Sequence, residues 1–182
     1  RKVVAAPYSV FWKWTDRAIL SMSPERFLKE SKHESAEGFT VETKPIKGTI
    51  PRGKSTEEDT QNAEILRNSQ KDRAENVMIV DLLRNDLSKN CTPGSVNVPT
   101  LFALETFPNV HHLVSTVIGK LSPTSSALDV LRDAFPGGSI TGAPKKRAKE
   151  IIEQLEPLKR SVYCGSIGYI STNGRMDTNI AI

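Results

Sequence analysis

Cysteine is nearly missing from these 182 residues. Cys91 and Cys164 lie far apart with no Cys-x-x-Cys pair, which leaves no disulfide framework and no thiolate metal site to read. Long apolar runs are absent too. No stretch approaches the length needed to span a bilayer, and the start carries no signal-peptide pattern, so the reading is no membrane and a cytoplasmic, reducing setting. Repeats and low-complexity segments are also lacking. The chain starts at Arg1 without an initiator Met and stops at Ile182 inside what reads as a strand, so a partial chain truncated at both ends is expected.

Neither sign of charge dominates. Lys plus Arg number 25 against 21 for Asp plus Glu, a formal net charge of +4. The densest basic run, Lys145, Lys146, Arg147 and Lys149, is followed by Glu150, Glu153 and Glu156, which suits a solvated helix face rather than a phosphate-tracking surface. No nucleic-acid partner is expected. What is present, 37% hydrophobic and 25% charged residues, is enough to bury a real core within one domain.

Val3 to Leu20 reads as strands around a turn at Asp16-Arg17. Ser23-Pro24-Glu25 resembles a helix start, with Glu25 as a first-turn dipole partner. Phe39 to Ile50 reads as extended chain. Ser55-Thr56-Glu57-Glu58 has the form of a capping box opening a helix to about Gln70, and a second helix is expected from about Asp72 to Leu87. Strands are expected over Val96 to Thr106, Val110 to Leu121, Tyr163 to Ser171 and Arg175 to Ile182. Helices are expected over Ser126 to Ala134 and Ala143 to Leu158. Strands and helices are interspersed without a regular βαβ rhythm, so the class is α+β.

Several residues carry chemical interest. Helical spacing puts Glu75 on a stripe with Ile79, Leu82 and Leu83, where a carboxylate needs Arg73, Lys71 or a bound cation as partner. Lys47, between Pro45 and Gly48, is either solvated or, if desolvated, a nucleophile. The loop from Phe135 to Lys145 is glycine-rich and enters a helix, which suggests an anionic ligand or a structural cap. It is not a Walker A loop, because Ala143 stands where that motif needs lysine. His111 and His112 should point to opposite faces of a strand, so one of them can line a site.

Together and in this order, the following motifs resemble the chorismate-binding enzyme family, which includes anthranilate, aminodeoxychorismate, isochorismate and salicylate synthases. They are Ser23-Pro24-Glu25-Arg26-Phe27, Pro45-Ile46-Lys47-Gly48-Thr49, Asp72-Arg73-Ala74-Glu75-Asn76, Val80 to Leu87, His112-Leu113-Val114-Ser115, the Gly137 to Lys145 loop, and Met176 to Ile182. The resemblance covers nearly the whole chain. It implies a partial chorismate-binding catalytic domain over 1–182, with the anthranilate synthase component I-like fold of antiparallel sheets flanked by helices.

Lys47 resembles the aminating branch, the aminodeoxychorismate synthases, since anthranilate synthases have alanine there. That branch implies a covalent lysine intermediate, with ammonia from a glutamine amidotransferase subunit or fused domain. Isochorismate or salicylate synthases and anthranilate synthase are the enzyme rivals, and a noncatalytic metabolite-binding module is another. The resemblance further implies Glu25 as general acid, Glu75 as a Mg²⁺ ligand, and His112, Ser139, Thr141, Gly142, Tyr163 and Gly165 as substrate-binding. The family's Ile-Arg-Thr and its second acidic Mg²⁺ motif are not in this sequence.

Overall fold

Pairing between distant segments decides where the strands fall, and in one place it overrides the local signal. The computed structural model of the chain describes residues 6–32 and 38–182. Strands β1 (Tyr8–Lys13) and β2 (Ala18–Ser23) pair antiparallel as a small sheet of their own. Its turn is the one expected at Asp16-Arg17, closed by Trp14 N–H donating to the Arg17 carbonyl at 2.8 Å. The Val3 to Ala5 part of the first expected stretch lies outside the described residues.

No helix starts at Ser23-Pro24-Glu25. The Ser23 hydroxyl does accept from the Glu25 N–H at 3.1 Å, as a capping serine would. The next residues, however, form β3 (Arg26–Lys32), held on one side by β4 (Phe39–Thr43) and on the other by β9 (Met176–Asn179). Two ladders of hydrogen bonds outweigh one local cap.

The remaining strands are β5 (Ile46–Pro51), β6 (Asn97–Thr106), β7 (Val110–Lys120) and β8 (Gly168–Ile170). Among the described residues the larger sheet has seven strands in the order β5-β7-β4-β3-β9-β8, with β6 also on β7, all pairs antiparallel. The final hairpin is shorter than its sequence suggests, because residues 161–164 form a turn and pairing begins only at Gly168.

Helix α1 (Thr56–Asn68) begins where the capping motif predicts, with the Ser55 hydroxyl accepting from Glu58 N–H. The Glu58 carboxylate reaches past Ser55 to the Lys54 N–H at 2.7 Å, so the reciprocal half of the box has moved by one residue. Helix α2 (Gln70–Ser88) lays Ile79, Val80, Leu83 and Leu87 on the sheet, against Leu28, Val41 and Val117. Helix α3 (Ala127–Ala134) adds Val130 and Ala134 to the same core, behind a full capping box of Ser126 and Asp129. Helix α4 (Lys145–Leu155) is shorter at both ends than its sequence suggests and buries no residue fully. The structure is thus α+β, and no helix in the described residues is long and apolar enough to cross a membrane.

Candidate functional site

Two irregularities in the sheet shape the site. Ile46 pairs with Val114 and Thr49 with His112, so Lys47 and Gly48 together oppose the single residue Leu113. This two-for-one bulge turns both residues toward the helical side of the sheet. Gly48 has φ +95°, and a Cβ there would come within 2.9 Å of Leu66 in α1 and 3.0 Å of Asp72 in α2. Only glycine fits, and the Lys47 side chain is aimed by that constraint.

The second irregularity is in β3. Arg26 pairs with Asn179 and Leu28 with Thr178, leaving Phe27 as an extra residue. Glu25 sits just before it, fixed by Ile180 N–H donating to its backbone carbonyl at 3.1 Å. The third component is the short 3-10 turn Gly138–Ile140, which carries Ser139. Gly137 and Gly138 let it lie close: a Cβ would be 2.4 Å from Ile180 at the first and 2.6 Å from Leu82 at the second.

Glu25, Lys47 and Ser139 meet at this point. The Lys47 Nζ donates to the Ser139 backbone carbonyl at 3.3 Å. Glu25 is 7% exposed. Burial pushes its carboxyl up to about 7, although the Ser139 hydroxyl, the Lys47 charge and the Ile46 N–H all favour the ionised form. Desolvation therefore outweighs three favourable partners, and the group holds a proton near neutrality. A proton donor beside an amine on a rigid sheet can serve a reaction in which a nucleophile attaches as a poor leaving group departs.

The other expected residues are distributed less tightly. Thr141 follows Ser139, but its hydroxyl donates to the Gly137 carbonyl at 2.9 Å. Gly142, at φ +133°, is the bend that turns the chain toward α4. Gly165 is tied through its backbone to the segment after β9, its carbonyl accepting from Ala181 N–H at 2.9 Å. Tyr163 lies apart, 61% exposed on the turn.

Strand alternation puts His112 on the face of β7 opposite His111 and Leu113. It is buried, bonded through Nδ1 to the Thr49 hydroxyl at 2.8 Å, and edge-on to Phe107. Burial lowers its pKa, so the ring is neutral at pH 7. Its polar bond thus runs to Thr49 rather than to Lys47 or Glu25. His111 is structural, with Nε2 3.0 Å from Asp59 and Nδ1 2.9 Å from Thr106.

Glu75 is half-buried on α2 with neither of the partners its sequence suggests. Arg73 instead lies over the Phe102 ring at 4.5 Å. The core position on this turn belongs to Asn76, fully buried, which accepts from the Ser115 hydroxyl at 2.6 Å and donates to the Leu113 carbonyl at 3.4 Å. An Asn one position after Glu75, three before Ile79, was the available signal. Among the described residues no three His, Cys, Asp or Glu side chains converge as a metal site.

The basic run is divided, contrary to the solvated-face reading. Lys145 is half-buried, with Nζ 2.5 Å from Asp86 and 2.6 Å from the Ala134 carbonyl, and it clamps the glycine loop onto α2. Lys146, Arg147 and Lys149 are exposed as expected.

The sequence profile described as chorismate binding enzyme matches residues 1–182. Aminodeoxychorismate synthase component 1 of Salmonella typhimurium is 57% identical over 177 residues, 97% of this chain and 38% of that protein. The chloroplastic aminodeoxychorismate synthase of Arabidopsis thaliana is 49% identical over 179 residues, 97% of this chain and 19% of that protein. In structure, anthranilate synthase component I of Streptococcus pneumoniae matches with a TM-score of 0.86 at 38% identity, covering all of this chain and 38% of that one. The chain thus spans well under half the length of the relatives it matches.

Proposed function

The chain belongs to the chorismate-binding enzyme family, and from that premise we propose that the full-length protein is an aminodeoxychorismate synthase. It would convert chorismate and ammonia to 4-amino-4-deoxychorismate for p-aminobenzoate and folate synthesis. The observation that carries this reading is the Lys47 amine, aimed by a sheet bulge at the place where Glu25 holds a proton. The names of the relatives at 57% and 49% identity point the same way.

In this reading the Lys47 nitrogen, as free amine, bonds to C2 of chorismate while the ring double bonds shift and the C4 hydroxyl leaves. Glu25 gives that hydroxyl its proton, so water departs rather than hydroxide. Ammonia then bonds to C4, the double bonds shift back, and the C2–Nζ bond breaks to free Lys47. Ser139 would hold the Glu25 carboxyl and the Lys47 amine in register. Thr141, Gly142, Gly165, Tyr163 and the neutral His112 would contact the substrate.

The family implies Mg²⁺. Glu75, a half-buried carboxylate with no ion pair among the described residues, fits a hard cation that keeps several waters and uses one or two carboxylates. When bound, the ion would supply positive charge to a substrate carboxylate. Ammonia would come from a glutamine amidotransferase, as a subunit or a fused domain. The two free, buried cysteines suit a reducing compartment such as the cytoplasm.

The test gives the full-length protein and its Lys47→Ala variant chorismate, Mg²⁺ and an ammonium salt, and identifies products by chromatography and mass. Aminodeoxychorismate from the parent, lost or slowed in the variant, is expected. Isochorismate or salicylate would overturn the amination reading and make Lys47 a base that activates water. Anthranilate would place the protein with the anthranilate synthases, and no turnover would favour a binding module.

A further inference from the structure

Glu30 lies outside the site described above and is an anomaly in the core. It is 3% exposed on β3, between Val41 and Met176 on the neighbouring strands, and its Oε2 has no hydrogen-bond partner among the described residues. A carboxylate oxygen so placed is costly to keep, whether as an ion without a counter-charge or as a neutral acid without a donor or acceptor. Core packing alone would favour leucine there.

The same side chain lines a cavity of about 540 Å³, a volume typical of small-molecule sites. The rest of its wall is mainly apolar, from Phe39, Leu121, Ala127, Leu128 and Ile170. The other charged lining residue, Lys120, is exposed at the rim, where its ammonium stays in water. Cys91 also stands close enough for the Glu30 charge to help push its thiol up to about 11. A half-open, mainly apolar cleft with one buried carboxylate in its wall complements a ligand with one cationic donor and an apolar body.

We propose that this cavity binds a small organic amine, its ammonium donating to the Glu30 carboxylate and its hydrocarbon part filling the space between the β-sheet and the start of α3. A strong hydrogen bond to a charged acceptor then offsets the cost of keeping that carboxylate in the core. Burial pushes the empty-site Glu30 carboxyl up to about 7, so binding of a cation at pH 6.5 must expel part of a proton to solvent. Affinity rises with pH up to about 7 and levels off above it.

The experiment is titration calorimetry on the full-length protein with 2-phenylethylammonium and 3-methylbutylammonium, and with 2-phenylethanol as the uncharged control. At least one amine should bind. The alcohol should bind about tenfold more weakly than the aromatic amine, the size of one charge-assisted hydrogen bond. At pH 6.5 the heat should vary with the ionisation enthalpy of the buffer, reporting the released proton. Glu30→Gln should weaken the amine about tenfold, abolish proton release and leave chorismate turnover unchanged, which shows the variant to be folded. No binding of either amine at millimolar concentration overturns the proposal, as does equal binding of amine and alcohol or an unaffected Glu30→Gln variant.

Discussion

At the scale of single residues, Glu25 shows how position converts an ordinary side chain into a reagent. On its local sequence it is a helix-dipole partner. Only the closing of β3 against β9 and the approach of the Ser139 turn remove it from water and push its carboxyl up to about 7. A general acid acts in its protonated form, so turnover should be highest below pH 7 and fall as pH rises through that value, provided Lys47 can still present a free amine. Glu25→Gln keeps the shape but has no proton to give. It should lower kcat by about 10²- to 10⁴-fold and flatten the limb near pH 7, as measured by chorismate consumption across pH. A smaller loss with the limb intact would take the acid role from Glu25. Lys47 was legible earlier, because Pro45 and Gly48 mark a constrained backbone. What it faces was not, because Ser139 is 92 residues away in sequence.

At the scale of elements, the bulge in β5 and the clamp on the glycine loop hold the reacting groups in place. Gly48→Ala meets two obstacles, the left-handed φ of +95° and close contacts to Leu66 and Asp72. The bulge must shift, so Lys47 loses its aim. Activity should drop at least tenfold while the fold survives, and a displacement of about 1 Å is sufficient for such losses. Circular dichroism beside the rate assay separates this outcome from unfolding. The clamp is Asp86, 2% exposed, gripped by Lys145 and Lys89. Lys145→Ala removes the more buried of these cations, and a broken buried pair costs about 3–5 kcal/mol; Lys89 remains, which points to the lower end. Denaturant melts of the full-length protein should show the loss. The elements themselves were largely readable from periodicity and caps, and α1, α2, α3, β6 and β7 fall within a few residues of their expected bounds. The helix expected at Ser23 was misread because the cap is real while the partners that impose a strand, β4 and β9, are remote. The last hairpin was overextended because β-branched and aromatic residues around Tyr163 signal strand whether or not a partner is present.

Across the whole molecule, burial is the property that sequence conveys least well, since it is fixed only when every element is in place. Lys145 reads as one more solvated basic residue and is clamped half-buried against Asp86, whereas the apolar Ile151 and Leu155 of α4 stand 39% and 76% exposed. Glu30 is the extreme case, an acid among lysines and serines in sequence that ends in the core with one oxygen unpartnered among the described residues. Its effect on stability follows from linkage. The ordinary carboxyl value is 4.5, and the folded chain pushes it up to about 7. Below 4.5 both folded and unfolded states hold the proton, and nothing is lost. Between 4.5 and 7 the unfolded chain releases it first, so stability falls as pH rises, and above 7 the full penalty remains, at most about 3 kcal/mol. Glu30→Gln cannot ionise and escapes that penalty. The thermal midpoints of variant and parent should therefore nearly coincide at pH 5 and separate toward pH 8, with the variant higher. Both proteins share every other titrating group, so the separation isolates this one. Parallel curves across the range would mean that Glu30 is solvated in the folded protein, and a variant lower at pH 8 would mean that its charge is already paired.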